Sequence, residues 1–238
     1  MHDNVPALTL RYFDCRGRAQ SFRFYLRARK IAFIDARVSM KDGFATWPAV
    51  RQDRKLSGPF AKLPVLHWGD QLVAETGVIH DFLHRKLGDA ARLDDEANLR
   101  HAMLASSCRS ELSTPLAMLV YQDAMYPGVD LKSTMAGTVK RIADNLAIIE
   151  AALTGWQWFE PSAKRQPMLG DCLLWEMLDW VECIFGARFD WRPLPALRQF
   201  HQHYEHAPLF RRMLAEHPCQ LTGRPQEAEA LQRIRAAQ

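Results

Sequence analysis

Residues 63–76 read Leu63-Pro64-Val65-Leu66-His67-Trp68-Gly69-Asp70-Gln71-Leu72-Val73-Ala74-Glu75-Thr76, and they decide the fold of the N-terminal part. Two short apolar runs flank the turn Gly69-Asp70, which is the pattern of a β-hairpin. From Thr76 the period changes: Val78, Ile79, Phe82, Leu83 and Leu87 fall on one helix face, and Gly88 is the expected stop. Upstream, Leu8, Leu10 and Tyr12 alternate with polar residues as in a strand. Gly17 then opens a stretch where Ala19, Phe22 and Leu26 recur at helical spacing. Ile31 to Val38 is rich in β-branched and aromatic residues and reads as a second strand. The stretch holding Gly43, Pro48, Gly58 and Pro59 reads as irregular. The order is β-α-β-loop-β-β-α.

The rest reads as helix. Met135, Val139, Ile142, Leu146, Ile149 and Leu153 step by 4, 3, 4, 3, 4. Leu174, Met177, Leu178, Val181 and Phe185 repeat the theme after Pro167, and Leu197, Phe200 and Tyr204 after Pro195. Residues 95–125 form a further long helix in which Pro115 forces a kink. Polar Arg85–Asp95 is the expected boundary, giving a first domain over 1–86, a linker over 87–95 and an all-helical domain over 96–238. Residues 219–238 read as a polar tail of helical composition, frayed at its end.

The chain has 238 residues, enough for one large domain or two small ones. Hydrophobic residues at 48% and charged residues at 24% exclude a disordered or collagen-like chain. A net charge of +4 is no nucleic-acid footprint, since Arg23, Arg27, Arg29 and Lys30 have the spacing of a solvated helix face. No apolar run approaches the ~18 residues that span a membrane. The N-terminus lacks the plan of a signal peptide. Five cysteines, odd in number and widely spaced, argue against disulfide staples and structural zinc. His80 and His84 are four apart with no third ligand converging in sequence, and these, with His201, His203 and His206, read as solvated histidines. A soluble protein of a reducing, cytoplasmic compartment without metal is expected.

Several motifs resemble the cytosolic glutathione S-transferases of the tyrosine type (sigma-, alpha-, mu- and pi-like). Tyr12-Phe13-Asp14-Cys15-Arg16-Gly17-Arg18-Ala19 resembles their strand-end tyrosine and the turn into the first helix. Lys62-Leu63-Pro64-Val65-Leu66 and Glu75-Thr76 resemble the cis-proline and glutamyl-binding segments. Trp47-Pro48-Ala49-Val50-Arg51 looks like the tryptophan-plus-cation element of the sigma-like classes. Leu169-Gly170-Asp171-Cys172-Leu173-Leu174 resembles the buried helix with an aspartate in its first turn, and Pro195–Phe200 with Ala207-Pro208 the late helix. Their order and spacing match across nearly the whole chain. The resemblance implies an α+β thioredoxin-like domain followed by an all-α domain, a homodimer, glutathione as co-substrate, and a detoxifying transferase that conjugates it to a hydrophobic electrophile.

That chemistry needs glutathione as thiolate. A free thiol has a pKa of ~8.5, so lowering it by ~2 units takes ~2.7 kcal/mol of selective stabilisation. One hydrogen bond to a charged group supplies ~1.5–3 kcal/mol, so a single hydroxyl nearly suffices. The resemblance assigns that hydroxyl to Tyr12, facing the cleft, with Arg18 adding positive field. Leu63 and Pro64 are implied to pair through the backbone with the cysteinyl part, across a cis bond. Free N–H groups at the start of the Thr76 helix fit the γ-glutamyl carboxylate, with Glu75 attracting the ammonium; Thr76 also reads as a plain N-cap. Trp47, Arg51 and Lys62 are implied to engage the glycyl carboxylate. Glu111 is a weaker idea, reaching the partner subunit's ligand. The electrophile site is implied between the domains, near Phe13, Tyr121, Tyr126 and the C-terminal tail. Two departures stand out: Gln20 where the family has glutamate, and Met168 where a capping Ser or Thr is usual. Alternative readings are glutathione-dependent thiol–disulfide or peroxide chemistry at Cys15, and a non-catalytic binding protein on the same fold.

Overall fold

Leu8, Leu10 and Tyr12 point to the buried side of strand β1 (Leu8–Phe13), so the alternation seen in sequence is the alternation of the pleat. The computed structural model describes residues 6–41, 43–125, 131–156, 167–216, 220–224 and 226–236. The chain divides into two units, Met1–Ala102 with Gln166–Cys172, and Met103–Arg165 with Leu173–Gln238.

The first unit is built on a four-stranded sheet in the order β2-β1-β3-β4. Strand β2 (Ile34–Val38) runs parallel to β1; β3 (Val65–Trp68) and β4 (Gln71–Ala74) form the antiparallel hairpin, with Gly69 at φ +58° in its turn. Strand β2 starts three residues later than the composition of Ile31–Val38 suggests. Helix α1 (Gln20–Ala28) closes by bonds from Lys30 N–H to the Arg27 carbonyl and Ile31 N–H to the Leu26 carbonyl, with Lys30 left-handed at φ +55°. That is a Schellman ending with lysine where glycine is usual, and it takes Ile31 into the helix cap.

The stretch read as irregular holds two short helices, α2 (Trp47–Gln52) and α3 (Arg54–Ser57). Pro48 lies in the first turn of α2, where its missing N–H costs nothing, and the Asp53 carboxylate caps α3 by accepting from Lys55 N–H at 2.8 Å. Helix α4 (Thr76–Lys86) buries Ile79, Phe82 and Leu83, whereas Val78 is 54% exposed, so the apolar face is narrower than its spacing implies. The basic run on α1 is not a solvated face. Arg23 and Arg29 are buried, and Arg29 pairs with buried Asp89 at 2.7 Å, an anion distant in sequence.

The second unit is helical: the end of α5 (Asp95–Ser107), α6 (Thr114–Met125), α7 (Leu131–Gly155), most of α8 (Leu169–Phe185), α9 (Pro195–Glu205), α10 (Pro208–Glu216) and α11 (Glu227–Ala236). Ile142, Leu146, Ile149 and Leu153 of α7 enter one core with Leu174, Leu178 and Val181 of α8. Ahead of Pro115 the chain forms a π-helical turn over Cys108–Ser113. Pro115 has no N–H for the Glu111 carbonyl, and the Asn145 side-chain amide donates to that carbonyl at 3.2 Å instead. The final segment is more than a polar tail: Ala230, Leu231 and Ile234 of α11 join the core. Cys219 lies outside the described residues. Among the described residues no helix is long and apolar enough to cross a membrane.

Candidate functional site

Arg11, Val65 and Ala74 pair across β1, β3 and β4 in one row of the sheet. Just beyond that row lie Tyr12 on β1, Pro64 immediately before β3 and Glu75 immediately after β4. The hairpin register therefore brings three of the sequence-predicted segments to one end of the sheet, and Thr76 follows as the first residue of α4.

Tyr12 is 7% exposed. Its hydroxyl accepts a hydrogen bond from the Arg18 backbone N–H at 3.1 Å. A hydroxyl that accepts one N–H keeps its own proton to donate, and accepting makes it a stronger donor. Gly17 makes this approach possible. A Cβ there would lie 2.5 Å from the Tyr12 hydroxyl oxygen, and its φ is +44°. Arg18 itself is exposed, so its backbone amide and not its guanidinium meets the phenol.

The Leu63-Pro64 bond is cis, as the resemblance implies, with Pro64 buried and Leu63 half-buried. Glu75 is exposed in the left-handed region at φ +69° and serves as the N-cap residue of α4. Thr76 is therefore the first helical residue and not the cap. The Glu75 side chain does not cap this end, and among the described residues the first N–H groups of α4 have no side-chain acceptor. Trp47, half-buried, packs edge-on against Phe13 at 5.1 Å between ring centres, and Phe44 packs edge-on against the same ring at 5.8 Å. Arg51 and Lys62 are exposed, and no hydrogen bond or ion pair links the side chains of Arg51, Lys62, Glu75 and Thr76 to one another among the described residues. The Arg51 carbonyl accepts from Ser57 Oγ at 2.9 Å, fixing the loop that carries it.

The solvated reading of His80, His84 and His201 needs correction, whereas His203 and His206 are exposed. His80 and His84 are buried, and His101 of α5 stacks on His84 with ring centres 4.2 Å apart. A third histidine does converge, from a separate helix that spacing within α4 cannot register. Its rings stack instead of converging on a point, and no group of His, Cys, Asp or Glu among the described residues has the arrangement of a metal site. His201 is also buried, its ring near-parallel to those of Trp175 and Trp191 at 5.7 and 6.1 Å, with Nε2 3.2 Å from Asp179. Glu111 bonds Arg141 at 2.9 Å within its own chain, and that hydrogen bond holds its carboxyl below the usual range. Cys15 is buried at 2% exposure. Asp171 accepts from Met168 N–H at 2.8 Å, so half of the capping box survives without a Ser or Thr. Tyr121 lies under the Arg224 guanidinium at 4.6 Å, and Tyr126 lies outside the described residues. The second unit also holds a cavity of about 830 Å³ lined by none of the predicted site residues, among them Met135, Val139, Phe189 and Leu194.

Sequence reasoning missed Phe44, whose role beside Phe13 depends on a left-handed backbone at φ +67° that no periodicity signals. It also missed Arg23, whose signal was a cation on the otherwise buried face of α1.

No family model matches the chain. Glutathione S-transferase 1 of Ascaris suum is 31% identical over 88 residues, 37% of this chain and 39% of that protein. Glutathione S-transferase 2 of Onchocerca volvulus is 38% identical over 77 residues, 32% of this chain and 33% of that protein. The chain thus matches between a third and two-fifths of the length of these curated relatives. Solved structures extend the likeness at the level of fold. The Onchocerca volvulus Pi-class glutathione S-transferase aligns over 92% of this chain and 99% of its own, with a TM-score of 0.60 and 21% identity. The Ascaris lumbricoides glutathione S-transferase aligns over 90% and 98%, with a TM-score of 0.68 and 20% identity. Over about a third of its length this chain is similar in sequence to glutathione S-transferases, and over about nine-tenths of it, a sheet-bearing unit with an all-helical one, it shares the fold of solved members of that family.

Proposed function

We propose that the protein binds glutathione as thiolate and conjugates it to a hydrophobic electrophile. The observation that carries this reading is the Tyr12 hydroxyl, held by the Arg18 amide at the sheet end where Pro64 and the uncapped start of α4 also lie. Tyr12 donates to the sulfur, and Arg18 adds positive field. The Leu63 and Pro64 backbone meets the cysteinyl unit. The α4 N-terminus with Thr76 takes the γ-glutamyl carboxylate and Glu75 its ammonium, while Trp47, Arg51 and Lys62 hold the glycyl end. Phe13, Phe44 and Trp47 supply apolar surface beside Tyr12, which suits an aryl or alkyl electrophile. Burial of Cys15 weighs against thiol exchange there, because an attacking thiolate needs access. A homodimer is supported by Phe60, Val78 and Leu99, large apolar side chains that are 62%, 54% and 60% exposed. Among the described residues Cys15, Cys108, Cys172 and Cys183 are buried and form no disulfide, which supports a reducing, cytoplasmic setting.

The test is Tyr12→Phe. Deleting the hydroxyl should raise the pKa of bound glutathione, read from thiolate absorbance, by one to two units, about 1.4–2.7 kcal/mol. Turnover of an aryl halide at neutral pH should then fall roughly three- to twenty-five-fold, recovering partly at higher pH. An unmoved titration in Tyr12→Phe, with turnover lost in Cys15→Ser, would install the thiol-exchange reading in its place.

A further inference from the structure

Arg23 is fully buried on α1, and its guanidinium is spent on the turn that follows Tyr12. Nη1 donates to the Cys15 carbonyl at 2.6 Å and Nη2 to the Phe13 carbonyl at 3.3 Å. Nε donates to Asp35 Oδ1 at 3.1 Å. The two carbonyls flank Asp14, whose carboxylate accepts from Arg37 at 3.1 Å and whose N–H donates to the Val38 carbonyl at 2.9 Å. Arg37 also pairs with Asp35 at 2.7 Å. Burial would lower the Arg37 pKa, but Asp35 and Asp14 outweigh it and hold the guanidinium above its ordinary value. A chain of alternating charge, Arg23–Asp35–Arg37–Asp14, therefore clamps residues 13–15 from both α1 and β2.

The same guanidinium lies 6.0 Å from the centre of the Tyr12 ring. Gln20, standing where the resemblance implies glutamate, offers Arg23 only a neutral oxygen at 3.4 Å. The negative partner of Arg23 is thus Asp35, already shared with Arg37. Only a planar fork reaches two carbonyls and a carboxylate at once; an ammonium has the charge without that geometry.

We propose that Arg23 is a positioning residue for thiolate activation: by fixing the Phe13–Cys15 turn it holds the Arg18 amide against the Tyr12 hydroxyl, with Asp35 as its anchor. This rests on the role given to Tyr12 above. It does not touch the sulfur, so its loss should move the pH profile and spare the affinity.

The experiment is Arg23→Lys, assayed beside Tyr12→Phe by thiolate absorbance against pH, glutathione affinity by calorimetry, and melting temperature. The expected result is a rise of half to one unit in the pKa of bound glutathione. From a bound pKa of about 6.5 that is a roughly 1.5- to three-fold smaller thiolate fraction at neutral pH, with affinity changed less than two-fold. Asp35→Asn, which keeps the shape and removes the anchor's charge, should shift the same titration upward, and it decides the matter if Arg23→Lys does not fold. A wild-type titration in a folded Arg23→Lys protein, or failing that in Asp35→Asn, overturns the proposal. If Tyr12→Phe moves the titration and these variants do not, only the positioning role falls; if Tyr12→Phe does not move it, the function itself was misread.

Discussion

Replacing Gly17 with alanine adds one methyl group at the point where the first-helix turn meets Tyr12. That methyl carbon would sit 2.5 Å from both Cε1 and the hydroxyl oxygen of Tyr12, and 2.8 Å from Cζ. Non-bonded atoms at rest stand ~3.5–4.0 Å apart, so ring or turn must move by about 1 Å. The ring has little room, being 7% exposed and packed edge-on to Phe13 at 5.4 Å. Moving the turn instead draws the Arg18 N–H away from a hydroxyl now 3.1 Å from it. Two separate costs follow. A left-handed backbone at φ +44° costs a non-glycine residue ~1–2 kcal/mol, equivalent to a melting point lower by ~2–8 °C. A displaced hydroxyl forfeits most of a bond to a charged sulfur, ~1.5–3 kcal/mol, which raises the bound thiol's pKa by roughly one to two units and cuts the thiolate fraction at neutral pH roughly four- to forty-fold. Gly88→Ala separates them, because Gly88 is also left-handed at φ +81° but a Cβ there meets nothing within 4 Å. Both variants should lose melting temperature, read by circular dichroism, and only Gly17→Ala should raise the pKa of bound glutathione, read by thiolate absorbance. A stable Gly17→Ala protein that titrates like the parent would refute the claim that hydroxyl position controls the thiol.

Asp89→Ala should strip its partners from the buried Arg29 guanidinium and the Tyr25 hydroxyl, both 2.7 Å from that carboxylate. Leaving a buried cation unpaired costs ~3–5 kcal/mol, so thermal unfolding should come roughly 10 °C earlier; a loss under about 1 kcal/mol would mean that Arg29 finds water or another acceptor. Stability should also fall on the alkaline side. Burial pushes the Cys108 thiol up to about 12, and burial followed by Asp89 raises the Tyr25 phenol. Both groups ionise sooner when unfolded, so their contribution is whole below their ordinary pKa values and is lost as pH rises beyond ~8.5 and then ~10. The urea midpoint, followed from pH 8 to 11, should decline, and a flat profile would contradict this.

The fold was legible where a local rule had no competitor. The hairpin is written in Gly69-Asp70, and the 4-3-4-3-4 spacing of α7 reports a buried stripe wherever its neighbours lie. Errors came where the deciding partner is far along the chain. Arg29 looks like solvent-facing charge until Asp89, sixty residues on, reaches it. His80 and His84 look solvated until His101 covers them, and His201 until Trp175 and Trp191 do. The helices α2 and α3 hid behind proline and glycine, which mark helix starts and stops as well as loops. At the candidate site, residue types were readable but geometry was not: nothing in the sequence says that the Arg18 backbone, and not its guanidinium, meets the phenol.

Glu75 shows how fold and proposed chemistry meet in one residue. Its φ of +69° is a conformation that glycine adopts freely and glutamate at a cost of ~1–3 kcal/mol. Stability alone would favour glycine there, or a short polar side chain able to cap α4. Glutamate does neither, since it donates no cap to the helix and its carboxylate stands in solvent. The strained backbone turns the chain from β4 into α4 within one residue, which leaves the first amides of α4 at the sheet end occupied by Tyr12 and Pro64. A zwitterion fits that combination: an anion at the uncapped amides and an ammonium at the carboxylate beside them. A simple anion would instead meet repulsion from Glu75, and a simple cation would face the positive end of the helix. The γ-glutamyl end of glutathione carries both charges on a single carbon, so under the proposed function the residue that looks wrong for the fold, Glu75, would be the one that selects for it.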